Sequence, residues 1–325
     1  MYCFIINPCS GCGRGLRVWK KIEQQLMCEG AEYRAFMAEG PGQASKIAGE
    51  LTKGRGTGQT IVVVGADDTF GEVLDGLNLG ENVTLGYIPA GSRKDLARSL
   101  RLPLNSRRCL RRIFSPRQYR CLDYGLLTYG EDSMRHRRFA VSAGMGLTAA
   151  ACKSAPEGIS VAEPGIFKNR FGAARRLFRR AQYLAGGIWQ LIKAKPSKGY
   201  ILLDRTRKVE FNHMYFVSAH IHPSEGGGFY FAPEADPGDG KLEICVASHS
   251  SKLRLIPMLI RSRLPRFVKR KGVRVYECRE ARIHMDRPAP IHTDGEICRF
   301  QSDLEIQCIE KKIRVYRYRN RRKQI

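Results

Sequence analysis

Residues 60–77 read TIVVVGADDTFGEVLDGL. The opening five residues are β-branched without a polar alternation, too apolar for a strand with one solvated face. They predict a strand buried on both sides of a parallel sheet. The chain then turns through Gly65, Ala66, Asp67, Asp68 and Thr69, and 70–77 predicts a helix. In parallel sheets ligands bind at the carboxyl ends of strands, where helix N-termini present free N–H groups to phosphate.

The same pattern repeats on both sides. Upstream, an apolar run at 2–6 ends in NPCSGCGRG, and 16–28 carries helical periodicity through Leu16, Trp19, Ile22 and Leu26. Residues 32–37 predict a strand and 44–51 a helix. Downstream, 84–88 predicts a strand, followed by PAGSRKD and a helix from Leu96. Strands alternating with helices imply an α/β domain with a parallel sheet. Beyond about residue 125 short alternating segments dominate, at 138–142, 200–203, 208–210, 214–219, 242–247, 282–285 and 304–309. Gly, Pro and Asp turns separate them, and a helix at 169–193 interrupts them. This predicts a mostly antiparallel β domain, with the boundary near 121–130.

The chain has 325 residues, 43% of them hydrophobic, which is enough for two cores. Its formal net charge of +25 favours anionic partners. The eleven cysteines are scattered and odd in number, which predicts reduced thiols in a cytosolic setting. Cys9 and Cys12 have redox spacing, but no second pair or His cluster stands nearby for zinc. No secretory signal and no apolar run of membrane-spanning length is visible. The expectation is a cytoplasmic protein that meets membranes only peripherally.

The motifs NPCSG (7–11), GADDT (65–69), PAGSRKDLA (89–97), PEADPGDGKLEI (233–244) and HTDGE (292–296) fall in the order found in one family. The chain resembles the diacylglycerol kinase catalytic-domain family, which includes bacterial lipid kinases and is related to sphingosine and ceramide kinases. The resemblance implies a nucleotide-binding N-terminal α/β domain (1–125) of the NAD-kinase or phosphofructokinase kind, completed by 310–325. It implies a C-terminal antiparallel β-sandwich domain (126–309) for the lipid. The implied activity is transfer of the ATP γ-phosphate to the hydroxyl of diacylglycerol or a similar lipid alcohol. ATP and Mg2+ are the implied cofactors.

Carried over by position, Asn7, Gly11, Gly65, Ala66, Asp67, Thr69, Gly91, Ser92 and Lys94 would line the nucleotide site. Asp67, Asp95 and Asp123 would organise magnesium near the phosphates, and Asp239 a second magnesium. Asp294 would be the general base, with Glu296 beside it. Read without the family, Asp294 is a turn residue in Thr-Asp-Gly-Glu.

Two loops depart from the family pattern. Where the family has G-G-D-G-T, this chain has Ala66 and Asp68. Ala66 is mild if the backbone needs no positive φ. Asp68 puts a carboxylate beside a polyanion, a repulsion of about 1–4 kcal/mol at ~4 Å. Where the family has G-T-x-N-D, Lys94 replaces Asn, so Asp68 and Lys94 read as a charge swap. The alternative from another class is a catalytically silent pseudokinase that binds lipid or regulates a partner.

Positive charge concentrates in 101–120, with seven Arg and no acid, in 263–274 and in 317–323. Residues 169–193 predict a basic amphipathic helix, suited either to an anionic bilayer surface or to packing on the β domain. No recognition helix, zinc-finger spacing or aromatic platform points to nucleic acid. The expected partners are thus a lipid substrate and an anionic membrane surface, and a homodimer is left open.

Overall fold

A computed structural model describes residues 1–54, 58–79, 83–115, 119–130, 133–154, 188–248, 251–264 and 272–316. The N-terminal elements are β1 (Tyr2–Ile6), α1 (Ser10–Cys28), β2 (Tyr33–Met37), α2 (Gln43–Thr52), β3 (Gln59–Gly65), α3 (Asp67–Gly76), β4 (Val83–Pro89), α4 (Asp95–Ser99) and α5 (Ser106–Phe114). β2, β1, β3 and β4 pair in parallel in that order. Successive residues of the apolar run in β3 serve opposite faces. Ile61 and Val63 pack with Phe70, Val73 and Leu74, whereas Val62 and Val64 pack with Trp19, Ile22 and Leu110. Burial on both sides is why the run shows no polar alternation.

The second half contains β5 (Tyr119–Tyr129), β6 (Arg135–Phe139), β7 (Ser142–Gly146), α6 (Leu147–Ser154), β8 (Ser197–Leu203), β9 (Arg207–His220), β10 (Leu242–Ser248), α7 (Lys252–Arg261), β11 (Val273–Cys278), β12 (Glu280–Thr293) and β13 (Glu296–Tyr316). Pairing among β5 to β12 is antiparallel. The halves are not separate sheets. β13 pairs with β12 along its first part, then runs parallel to β4 at Arg314 and Val315. One sheet with the order β11-β10-β9-β7-β12-β13-β4-β3-β1-β2 therefore passes through both. Residues 317–325, expected to help complete the first domain, lie outside the described residues, as does most of the helix expected at 169–193.

The strand expected at 138–142 is where β6 ends and β7 begins. The amides of Ala140, Val141 and Ser142 do not continue a ladder there, because they bond to the Asp294 carboxylate. The boundary expected at 121–130 is crossed by the strand β5. α7 and β11 were not read from the sequence; Pro257 inside α7 weakens its helical signal.

Asp123 does not join Asp67 and Asp95. Its Oδ1 accepts from the Lys311 amide at 2.7 Å and its Oδ2 from the Gly240 amide at 2.8 Å. Lys311 has φ of 50° and sits in the irregularity between Ile309 and Ile313 where β13 leaves β12 for β4. Asp123 thus supplies an acceptor for a donor that the bulge takes out of the ladder. The bulge precedes Arg314, which pairs with Thr84 at the beginning of β4. The loops after β3 and β4 lie at the other edge, a strand length away, about 20 Å at 3.3 Å per residue. Asp239 is instead the neighbour of Asp123, in the turn whose Gly240 binds it.

Replacing Asp123 with Ala strands both amides. Denaturant unfolding should show a loss of about 1–3 kcal/mol per buried donor. Affinity for MgATP, measured by calorimetry, should stay within twofold of the parent.

Candidate active site

The loops after β1, β3 and β4 meet at the carboxyl edge of the parallel strands. The Asn7 side chain ties the first two together. Its Oδ1 accepts from the Cys9 and Ser10 amides, each at 3.0 Å, and its Nδ2 donates to Thr69 Oγ1 at 3.1 Å. The Gly65 carbonyl accepts the Ala90 amide at 2.7 Å and the Gly91 amide at 3.2 Å, joining the second loop to the third. Two glycines here are required by close approach. A Cβ on Gly11, whose φ is 61°, would lie 2.7 Å from the Ala90 carbonyl oxygen. A Cβ on Gly91 would lie 2.2 Å from the Ala66 Cβ. Ala66 itself is extended, with φ of −95°, so the departure from Gly costs it no backbone strain.

Asp67 and Asp95 are buried side by side. The Asp67 carboxylate accepts from the Tyr87 hydroxyl at 3.0 Å and from the Asp95 amide at 2.7 Å. Burial and then the Asp95 charge raise the Asp67 carboxyl above the ordinary carboxylate range. Asp95 is held by Arg98 at 2.8 Å, the Ser224 hydroxyl at 2.8 Å and the Gly227 amide at 2.6 Å. These bonds reach across to the second half of the chain. Lys94 is half-buried, and burial and the nearby Arg14 lower its ammonium below the ordinary lysine value. Two cations crowded at a loop edge favour an anion between them. Ser92 is exposed beside them.

The charge swap expected between Asp68 and Lys94 is not formed. Asp68 pairs with Arg93, Nη2 to Oδ2 at 3.2 Å, while its Oδ1 accepts the Thr69 amide at 2.6 Å. Arg93 also donates to the Gly295 carbonyl at 3.4 Å. Asp68 lies in the first turn of α3, where a carboxylate is favoured by the helix dipole. The repulsion expected toward phosphate is thereby partly cancelled by a guanidinium.

Asp294 and Gly295 form the two-residue turn between β12 and β13, with φ of 51° and 90° and Thr293 paired to Glu296. Positive φ at both central residues explains the Asp-Gly sequence. The turn role and the family role therefore fall on one residue. The Asp294 Oδ2 accepts the Ala140 amide at 2.8 Å, and Oδ1 accepts Val141 at 2.7 Å and Ser142 at 3.0 Å. A Cβ on Gly71 of α3 would lie 2.4 Å from Oδ2, so only Gly lets the carboxylate seat against that helix. Burial pushes Asp294 up to about 6, against the pull of the three amides. Glu296, expected beside it, turns away and pairs with Arg137.

Asp294, Asp67, Asp95 and Arg93 line one pocket, which encloses about 750 Å³ counted out to its solvent-facing mouth. Its far walls are apolar, with Leu147, Phe216, Phe229, Phe231 and Leu259. Carboxylates at one end of an apolar cavity suit a lipid whose polar head enters toward the loops.

The description of the diacylglycerol kinase catalytic domain matches residues 1–125, and that of the YegS C-terminal NAD kinase beta sandwich-like domain matches 165–316. The chain belongs to the diacylglycerol kinase catalytic-domain family. A relative in Bacillus subtilis strain 168, YtlR, named provisionally as a lipid kinase, is 28% identical over 301 residues, covering 90% of this chain and 92% of its own. A Mycobacterium tuberculosis protein named diacylglycerol kinase is 23% identical over 321 residues, 97% of this chain and 94% of its own. A solved structure from Bacillus anthracis strain Sterne, provisionally described as a diacylglycerol kinase, superposes with a TM-score of 0.73 at 20% identity. It covers 98% of this chain and 97% of that one, which establishes the shared fold.

The sequence reading missed Arg93, the cation that links the phosphate loop to the Asp294 turn; its only signal was a basic residue inside GSRKD. Asp68→Gly removes a charge and frees both the Thr69 amide and the Arg93 guanidinium. MgATP affinity by calorimetry should rise about fivefold, the low end of the unscreened repulsion. An unchanged or weaker affinity would place Asp68 away from phosphate.

Proposed function

We propose that this protein transfers the γ-phosphate of ATP to the hydroxyl of a lipid alcohol entering from an anionic membrane surface. The observation that carries the reading is the position of Asp294. It is a buried carboxylate in the wall of an apolar pocket, next to phosphate-binding loops at the edge of a parallel sheet. Phosphoryl transfer demands positioning and charge neutralisation more than covalent help. The loops after β1, β3 and β4 would hold the nucleotide, with Lys94 and Arg14 facing its phosphates and the α3 N-terminus aimed at them.

Mg2+ takes one or two carboxylates together with phosphate and water oxygens. Asp67 and Asp95, adjacent and mutually repelling, fit such an ion, although no group of three ligands is preassembled among the described residues. The ion would neutralise charge on the phosphates. Asp294 would accept the lipid hydroxyl proton through Oδ2, which has a single amide donor and so keeps a lone pair. A carboxyl raised to about 6 is a better base than an ordinary aspartate and is still ionised at neutral pH.

The surface fits a peripheral encounter. α5 buries Cys109, Leu110 and Ile113 and turns Arg107, Arg108, Arg111 and Arg112 outward. Each cation near an anionic surface is worth about 1 kcal/mol. No described helix is long and apolar enough to cross a membrane. A silent, lipid-binding pseudokinase draws on one observation. The Asp68 carboxylate already occupies the Thr69 amide at the helix N-terminus where phosphate would bind.

The deciding assay is ADP release with MgATP and lipid alcohols in anionic mixed micelles. Lipid-dependent turnover is expected, with Asp294→Asn reducing it about 100- to 10,000-fold. Because the base acts ionised, kcat/KM should rise as pH increases through about 6 and then level off. Folded protein that turns over no lipid alcohol, yet still binds lipid, would favour the silent reading.

A further inference from the structure

The polar groups at the floor of the lipid pocket divide into two sets. Asp294, Asp95 and Asp67 have their oxygens met by amides, hydroxyls or Arg98. Glu225, His292 and Thr148 line the same pocket and do not. Glu225 Oε2, both His292 ring nitrogens and Thr148 Oγ1 are buried without a hydrogen-bond partner. Glu225 is 6% exposed, His292 1% and Thr148 8%. Buried polar atoms in folded proteins are nearly always paired, and leaving one unpaired costs about 1–3 kcal/mol. Three such residues at one end of a cavity are a binding surface for a polar group brought by a ligand. The His292 and Thr148 atoms converge. A single point, the Cβ position above Gly144, lies 2.7 Å from His292 Nε2 and 2.8 Å from Thr148 Oγ1.

Glu225 stands beside Asp294 through one residue. The Ser142 amide donates to Asp294 Oδ1 at 3.0 Å, and the Ser142 hydroxyl bonds to the Glu225 carboxylate. A ligand hydroxyl directed at Asp294 therefore carries the substituent of its neighbouring carbon toward Glu225 Oε2. That oxygen is a lone acceptor when Glu225 is ionised. The neighbouring substituent must then be a donor, a hydroxyl or an ammonium. In a 1,2-diacylglycerol it is an ester, which offers only acceptors and would set oxygen against oxygen.

We propose that Glu225, with Thr148 and His292, selects a lipid alcohol bearing a free donor on the carbon next to its reactive hydroxyl. The class is a vicinal diol or a vicinal amino alcohol, in preference to a diacylglycerol. This deepens the lipid-kinase reading and rests on it for the role of the hydroxyl. Burial pushes the Glu225 carboxyl up to about 7, and a donor against Oε2 returns it to the charged form.

The test is binding by the full chain, read from the ligand-induced rise in melting temperature. The ligands are a short-chain 1-monoacylglycerol, a medium-chain 2-amino-1-alkanol and the matched short-chain 1,2-diacylglycerol. The proteins are wild type, Glu225→Gln and Thr148→Val. On wild type the diol or the amino alcohol should bind at least tenfold more tightly than the diacylglycerol. The preference should fall below threefold in Glu225→Gln and weaken in Thr148→Val. An amino alcohol ahead of the diol identifies an ammonium; equal affinities identify a hydroxyl.

Diacylglycerol binding as tightly as the diol and the amino alcohol overturns the proposal. So does a preference unchanged in both variants, or no binding of any of the three. If Glu225→Gln fails to fold, wild type and Thr148→Val decide. ADP release is measured separately. Selective binding without phosphate transfer would remove the kinase reading and leave the pocket assignment standing.

Discussion

The Asp294 carboxylate, bonded to the successive amides of Ala140, Val141 and Ser142, is the joint on which this molecule turns. Those bonds end β6, begin β7 and fix the turn between β12 and β13. They also press a charged group against α3 at Gly71, within the first domain. A buried carboxylate survives only with such partners. The same partners leave it a lone pair and a raised proton affinity, which are what a base in a closed pocket requires. Structure and chemistry here draw on one set of contacts.

Around that joint the two halves of the chain are stitched by polar side chains. Asp95 on α4 is held by Ser224 and Gly227. Arg138 at the end of β6 caps α3 through the carbonyls of Leu74, Asp75 and Leu77. Arg93 spans from Asp68 to Gly295. The last of these gives the departures from the family motif a physical account. A carboxylate placed where the family has Gly is matched by a guanidinium two residues before Asp95. The pair leaves the loop near neutral and couples the nucleotide side to the base.

The parallel sheet was legible because burial on both faces writes itself into the sequence as an unbroken apolar run, as at 61–64. The Asp-Gly turn at 294–295 was legible because positive φ restricts residue type. Three things were not. The strand expected over 138–142 breaks because its amides go to a side chain 150 residues away, and no local pattern records that. Asp123 was grouped with Asp67 and Asp95 by motif order. The register of β13 against β4 instead puts it at the opposite edge of the sheet. The partner of Asp68 was taken as Lys94 on charge alone; the direction of the loop gives it to Arg93. Glu225 had no sequence signal, since a glutamate before three glycines reads as a solvated loop. Its burial in the pocket wall is visible only in three dimensions.

The central claim is that Asp294 faces the acceptor hydroxyl across a pocket shared with the nucleotide loops. A crystal structure with a non-hydrolysable ATP analogue, magnesium and a bound lipid alcohol tests it most directly. The account predicts the lipid chain against Phe216, Phe229 and Leu259, and its hydroxyl within hydrogen-bond distance of Asp294 Oδ2. The terminal phosphate should lie at the loops after β3 and β4. A hydroxyl directed instead at Glu296, or a lipid seated outside this pocket, would contradict it.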